Sequence, residues 1–167
     1  MKALVIYYSL EGTTRLFAQT IAQAIGADLC ELKLKKDINP NGFMKYFWGG
    51  KQVFQKQTPE LEPLCKEPQD YDLIILGTPV WAFNFTPAIR SFFKLLKSPD
   101  TTPKIKGKKV AVFCCHEGNK NQTLENMVSE LSGNQVLGEI DFLNSSKIDT
   151  ENNLQKARDW ALKISKN

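Results

Sequence analysis

From residue 9 to residue 14 the chain reads Ser-Leu-Glu-Gly-Thr-Thr. Ser9, Thr13 and Thr14 carry hydroxyl donors, and Gly12 allows the backbone to turn closely around a ligand. A helix opening here adds free backbone N–H groups and the positive end of its dipole, which together bind an anion. The result is a phosphate cradle of neutral donors that needs no lysine. The same residues also make an ordinary helix start, in which the hydroxyls satisfy only the local backbone. A second group is Thr78, Pro79, Val80, Trp81, Ala82, Phe83 and Asn84. Its large rings need something flat to pack on, either the core or a planar ligand. A third group, Cys115, His116, Glu117, Gly118, Asn119 and Lys120, offers amides and polar tips able to hydrogen-bond a ring edge.

Other chemistries lack their residues. His116 is the only histidine, adjacent to Cys115. A nucleophilic cysteine needs a base across the site, and the next residue in sequence does not supply one. One histidine and four cysteines without C-x-x-C spacing make no zinc site. No G-x-G-x-x-G follows the first strand and no G-x-x-x-x-G-K-[ST] occurs, which removes dinucleotide-type and P-loop sites. Arg15 and Lys120 read as solvated surface as readily as phosphate ligands.

The elements that must position these groups alternate along the chain. Continuous apolar runs at 2–8, 71–77 and 108–115 predict parallel strands covered on both faces, and 28–34 and 135–143 add two more. Helical stripes follow: Phe17, Ile21, Ala24 and Ile25, stopping at Gly26; Ile89, Phe92, Phe93 and Leu96, started by Thr86-Pro87; Leu124, Met127, Val128 and Leu131; and Leu154, Ala157, Ala161 and Ile164. This alternation predicts an α/β fold, a doubly wound five-stranded parallel sheet with helices on both faces. Ligands of such sheets bind beyond the carboxyl ends of the strands, in loops 9–14, 78–86 and 115–121. The segment 36–64 departs from the pattern, with a helix expected from about Phe43 to Phe54 and aromatic residues Tyr46, Phe47 and Trp48 read mainly as packing.

The 167 residues predict one domain, 1–167, with 42% hydrophobic and 24% charged residues. No apolar run is long enough for a bilayer and no signal-peptide pattern opens the chain, so a cytoplasmic location without membrane contact is expected. On that reading Cys30, Cys65, Cys114 and Cys115 are free thiols. The net charge of +4 is spread along the chain and reads as solvated surface rather than a nucleic-acid footprint.

Taken together, these residues resemble the flavodoxin-like FMN-binding proteins. The stretch "SLEGTT" is similar to the family's phosphate loop, with Ser9, Gly12 and Thr14 in place, and "GTPVWAFNFTPAIRSFF" is similar to its second flavin loop and the helix after it. The resemblance covers essentially the whole chain. It implies that residues 9–14 hold the FMN phosphate, that 78–84 line the isoalloxazine with Trp81 as stacking partner, and that 115–120 meet the pyrimidine edge. It implies either an electron carrier with a redox partner protein or an NAD(P)H-dependent FMN or quinone reductase, as monomer or homodimer. Three features depart from the pattern. Glu11 brings a carboxylate to the edge of an anion site, the net charge is basic where many flavodoxins are acidic, and Ala82 stands where many have glycine. If a positive φ is required there, alanine costs roughly 1 kcal/mol more than glycine.

Overall fold

Apolar runs without polar alternation are stable only when buried on both faces, and three of them form the centre of the sheet. The computed structural model describes residues 1–36, 55–98, 105–143 and 150–166. Five parallel strands, β1 (Ala3–Tyr7), β2 (Asp28–Glu31), β3 (Leu73–Trp81), β5 (Lys109–His116) and β6 (Gln135–Leu143), lie in the order β2-β1-β3-β5-β6. The two-residue β4 (Asn84–Phe85) pairs antiparallel with the end of β3. Among the described residues the α-helices are α1 (Thr13–Ile25), α2 (Pro87–Lys97), α3 (Thr123–Glu130) and α4 (Thr150–Ser165).

Strand periodicity divides the core in two. Leu4, Ile6, Ile74 and Val112 face α2 and α3, meeting Phe92, Phe93, Leu124 and Met127. Val5, Ile75, Ala111 and Phe113 face the other way and meet Phe17 and Ile21 of α1 and Ala157 and Ala161 of α4. On that second face Phe17 stacks on Phe142 with centroids 4.2 Å apart. The five-stranded, doubly wound architecture is therefore as the alternation predicted. The order of strand addition reverses between β1 and β3, the switch point at whose carboxyl ends a crevice is expected.

Three local expectations are corrected. The segment 78–86 is not simply a loop: β3 runs on through Trp81 and folds back as β4. Thr86 begins α2 but makes no side-chain cap, because its hydroxyl lies 3.3 Å from that of Thr78. Cys30 and Cys65 are paired as a disulfide with Cα atoms 5.8 Å apart, so free thiols remain at Cys114 and Cys115. Their partnership arises because the chain returns beside β2, with Glu62 N–H donating to Lys33 O at 2.8 Å and Lys35 N–H to Glu60 O at 3.0 Å. A spacing of 35 residues carries no signature of such closure. The helix expected from Phe43 to Phe54, with Tyr46, Phe47 and Trp48, lies outside the described residues.

Among the described residues no helix is long and apolar enough to cross a membrane. Tyr71 donates to the Asp28 carboxylate at 2.6 Å. Burial and that carboxylate push its phenol up to about 12. The folded state thus keeps a proton that the unfolded chain releases near pH 10, so stability falls as pH rises from 10 to 12. In alkaline melts Tyr71→Phe is expected to flatten that decline.

Candidate functional site

Adjacency of β1, β3 and β5 brings the three residue groups to one edge of the sheet. Tyr8 N–H donates to Gly77 O at 3.2 Å, and Pro79 is in register with Cys115. The Thr14 hydroxyl reaches the third group directly, hydrogen-bonding the Cys115 thiol.

In the first group Gly12 adopts φ 97 as N-cap of α1, and its N–H donates to Ser9 Oγ at 3.1 Å. Gly12 supplies no side-chain cap to α1, and the first turn of the helix holds no acidic residue, which suits its N-terminus to an anion. A Cβ built on Gly12 meets nothing within 4 Å, leaving room above the turn. Leu10 packs against the core, Glu11 is exposed, and Thr14 is buried. Arg15 is engaged elsewhere: its Nη2 and Nε bind the Glu31 carboxylate at 2.6 and 3.2 Å. That pairing raises the Arg15 pKa and directs its guanidinium to Glu31. Beside this turn a cleft of about 260 Å³ opens, walled by Ser9, Arg15, Glu31, Lys33 and Glu62.

In the second group Thr78 is fully buried, and its hydroxyl accepts the Thr86 N–H at 3.2 Å, locking the base of the β3–β4 hairpin. Asn84 Oδ1 accepts the Phe85 N–H at 2.8 Å and an Asn126 Nδ2 hydrogen at 3.3 Å, which ties the hairpin to α3. Trp81 is half-buried and meets Tyr8 edge-on, centroids 5.7 Å apart at 88°. Ala82 and Phe83 form the turn between Trp81 and Asn84 with φ 43 and 65. Positive φ at both positions is the pattern of a type I′ turn, which prefers Asn-Gly. Each such L-residue costs roughly 1–2 kcal/mol. Ala82→Gly is therefore expected to raise stability by about 1 kcal/mol in denaturant melts, the gain from relieved strain exceeding the entropy cost of glycine.

In the third group successive side chains alternate across β5. Cys114 joins the α2–α3 core and Cys115 the α1–α4 core. Burial pushes the Cys114 thiol up to about 12, and it raises Cys115 further, against the hydrogen bond from Thr14. Neither is a thiolate nucleophile. His116 is buried, with Nε2 3.1 Å from Asp141 Oδ2, and its Nδ1 has no hydrogen-bond partner among the described residues. Lys120 stands 3.8 Å from Asp141 and 3.9 Å from Glu125, so two carboxylates claim it. Glu117, Gly118 and Asn119 are exposed at the rim. Among the described residues there is no cluster of three or more metal-ligating side chains.

A sequence profile for NADPH-dependent FMN reductases matches residues 1–142. The chain belongs to that family. It is an FMN-binding, flavodoxin-like redox protein, as its motifs implied. Solved structures share the fold of this FMN reductase relative at low identity. A flavoprotein from Lactobacillus acidophilus NCFM in complex with FMN has TM-score 0.68 and 23% identity, with 84% of this chain and 92% of that one covered. The WrbA-like flavodoxin from Agrobacterium tumefaciens has TM-score 0.67 and 16% identity, with 99% and 95% covered. Oxidised flavodoxin 2 from Bacillus cereus has TM-score 0.60 and 19% identity, with 99% of each chain covered.

Sequence reasoning missed Tyr8, Thr86 and Asn126 in this FMN reductase family member. Tyr8 reads as the end of a strand, Thr86 as a helix cap and Asn126 as a polar helix position. Tyr8 and Asn126 meet the Trp81 hairpin from distant elements, and Thr86 closes its base only because the chain folds back there, so none leaves a local signature.

Proposed function

We propose that this chain holds FMN across the three strand ends and reduces it with NADPH, serving as a reductase rather than solely as a carrier. One observation carries the reading: the family match at residues 1–142 spans all three loops at once. The donor set fits the cofactor. The N–H groups of Thr13 and Thr14 at the start of α1, with the Ser9 and Thr13 hydroxyls, suit a phosphate dianion, and Glu11 beside them is exposed. Thr78 to Trp81 and Asn84 frame the ring, with Trp81 braced by Tyr8. Cys115 to Lys120 supply amides to its pyrimidine edge. When bound, FMN supplies the two-electron chemistry, while these residues orient it and shield it from water.

Anaerobic stopped-flow mixing of the FMN-loaded protein with NADPH tests the proposal. Bleaching of the flavin absorbance without a partner protein is expected. Reduction that occurs only when a separate reductase protein is added would return the chain to the role of electron carrier.

A further inference from the structure

The covalent link between Cys30 and Cys65 sits where little else holds the chain. Cys30 lies on β2 with 1% of its surface exposed, while Cys65, 35 residues further on, is exposed. Their Cα atoms stand 5.8 Å apart, a separation that a disulfide spans without moving the backbone. Cys65 ends a strap, residues 57–65, that runs beside the chain leaving β2. Leu61 bridges antiparallel to Leu34, Glu62 N–H donates to Lys33 O at 2.8 Å, Lys35 N–H donates to Glu60 O at 3.0 Å, and the Lys35 and Glu60 side chains form an ion pair. Nearer its start, Pro59 O accepts the Ser91 hydroxyl at 2.6 Å. No residue from 55 to 67 is buried, and only Pro59, Leu61 and Leu64 are half-buried. Exposed pairs of this kind hold a segment weakly, so the disulfide is its main anchor.

The anchor is close to the anion turn. Cys30 directly precedes Glu31, whose carboxylate binds Arg15 in the opening turns of α1. Leu32 N–H donates to Tyr7 O at 2.7 Å, so the end of β2 braces the end of β1, from which residues 9–14 depart. Glu62 of the strap and Ser9 of the turn wall the same cleft of about 260 Å³.

We propose that Cys30–Cys65 is a reversible redox latch, opened by an external dithiol, whose closed state holds β2 and the strap against the 9–14 turn and thereby tightens FMN binding. The exchange balances. A thiolate of the reductant attacks Sγ of Cys65, the exposed partner, and the S–S electron pair leaves with Cys30, which takes up a proton. The reductant's second thiol then displaces Cys65, which is protonated in turn. Two protein thiols and the disulfide form of the reductant result, and the two protons lost by the reductant equal the two gained by the cysteines. The coupling to FMN rests on the function proposed above; the latch does not.

The test uses the full chain prepared without reductant. Denaturation in iodoacetamide followed by peptide mass mapping is expected to label Cys114 and Cys115 only, and prior treatment of the native protein with dithiothreitol adds Cys30 and Cys65. In fluorescence titrations dithiothreitol is expected to raise the FMN Kd at least about fivefold, the lower end of coupling between sites. Cys65→Ser, a substitution at an exposed position, shows the raised Kd without reductant and does not respond to dithiothreitol. That variant separates the latch from any action of the reductant on the flavin. A second measurement needs no flavin: trypsin cleaves after Lys56 and Lys66 faster in the reduced protein and in Cys65→Ser than in the oxidised parent. Labelling of Cys30 and Cys65 in the untreated protein overturns the proposal, as does one FMN Kd shared by the oxidised, reduced and Cys65→Ser forms. Faster trypsin cleavage at constant Kd also overturns it, because the strap then opens without touching the site. A parent protein that takes up no FMN sinks the proposed function instead, and the thiol map and trypsin rates still decide the latch.

Discussion

Gly77→Ala is expected to destabilise the protein by about 3 kcal/mol or more, the severe end of overpacking in a close-packed core. A Cβ at Gly77 lies 2.0 Å from Cζ of Phe113, with two further ring carbons at 2.3 and 2.7 Å. Phe113 is fully buried, and its ring meets Phe142 at 6.2 Å, which in turn stacks on Phe17 at 4.2 Å. The ring cannot yield without displacing that aromatic row. A loss of roughly 10 °C in melting temperature is the measurable consequence. Flavin affinity should fall with it, because Gly77 directly precedes Thr78 at the base of the hairpin. Shortening the obstructing ring in Gly77→Ala/Phe113→Leu should recover part of the loss, and an unchanged melt for the single variant would refute the packing account.

Riboflavin is expected to bind at least about a hundredfold more weakly than FMN. Two or more charge-assisted hydrogen bonds to the phosphate, at about 1.5–3 kcal/mol each, produce a gap of that size. The donors are neutral, so the gap should persist at moderate salt better than one made by exposed lysines. Gly12→Ala supplies a cross-check. Its Cβ meets nothing within 4 Å, so the substitution acts only by straining a backbone at φ 97. FMN should then lose affinity while riboflavin is scarcely affected. Fluorescence titration of both ligands on both proteins measures all four affinities. Equal affinity for FMN and riboflavin would remove the phosphate from residues 9–14.

Much of the fold was legible because its signals are local. The double-sided burial of β1, β3 and β5 shows as unbroken apolar runs, and Gly26 ends α1 at φ 65 as its sequence position implied. β6 spans Gln135–Leu143 as expected despite Gly138. That glycine lies where α4 closes on the sheet, since a Cβ there would sit 3.1 Å from Trp160 Nε1. The hairpin was less legible. Ala82-Phe83 lacks the residues of a type I′ turn, so nothing local announced that β3 continues and folds back. Cys30 and Cys65 likewise meet only because a distant segment returns along β2.

The sequence by itself determined the buried central strands, the helices that follow them and the donors at the start of α1, because burial period and hydroxyl chemistry are properties of neighbouring residues. Only the tertiary structure decided that Arg15 is bound to Glu31, that His116 faces Asp141 and that Phe83 stands alone in solvent on a strained turn. Those outcomes depend on which side chains from distant elements compete for each group, and that competition is settled by packing in three dimensions.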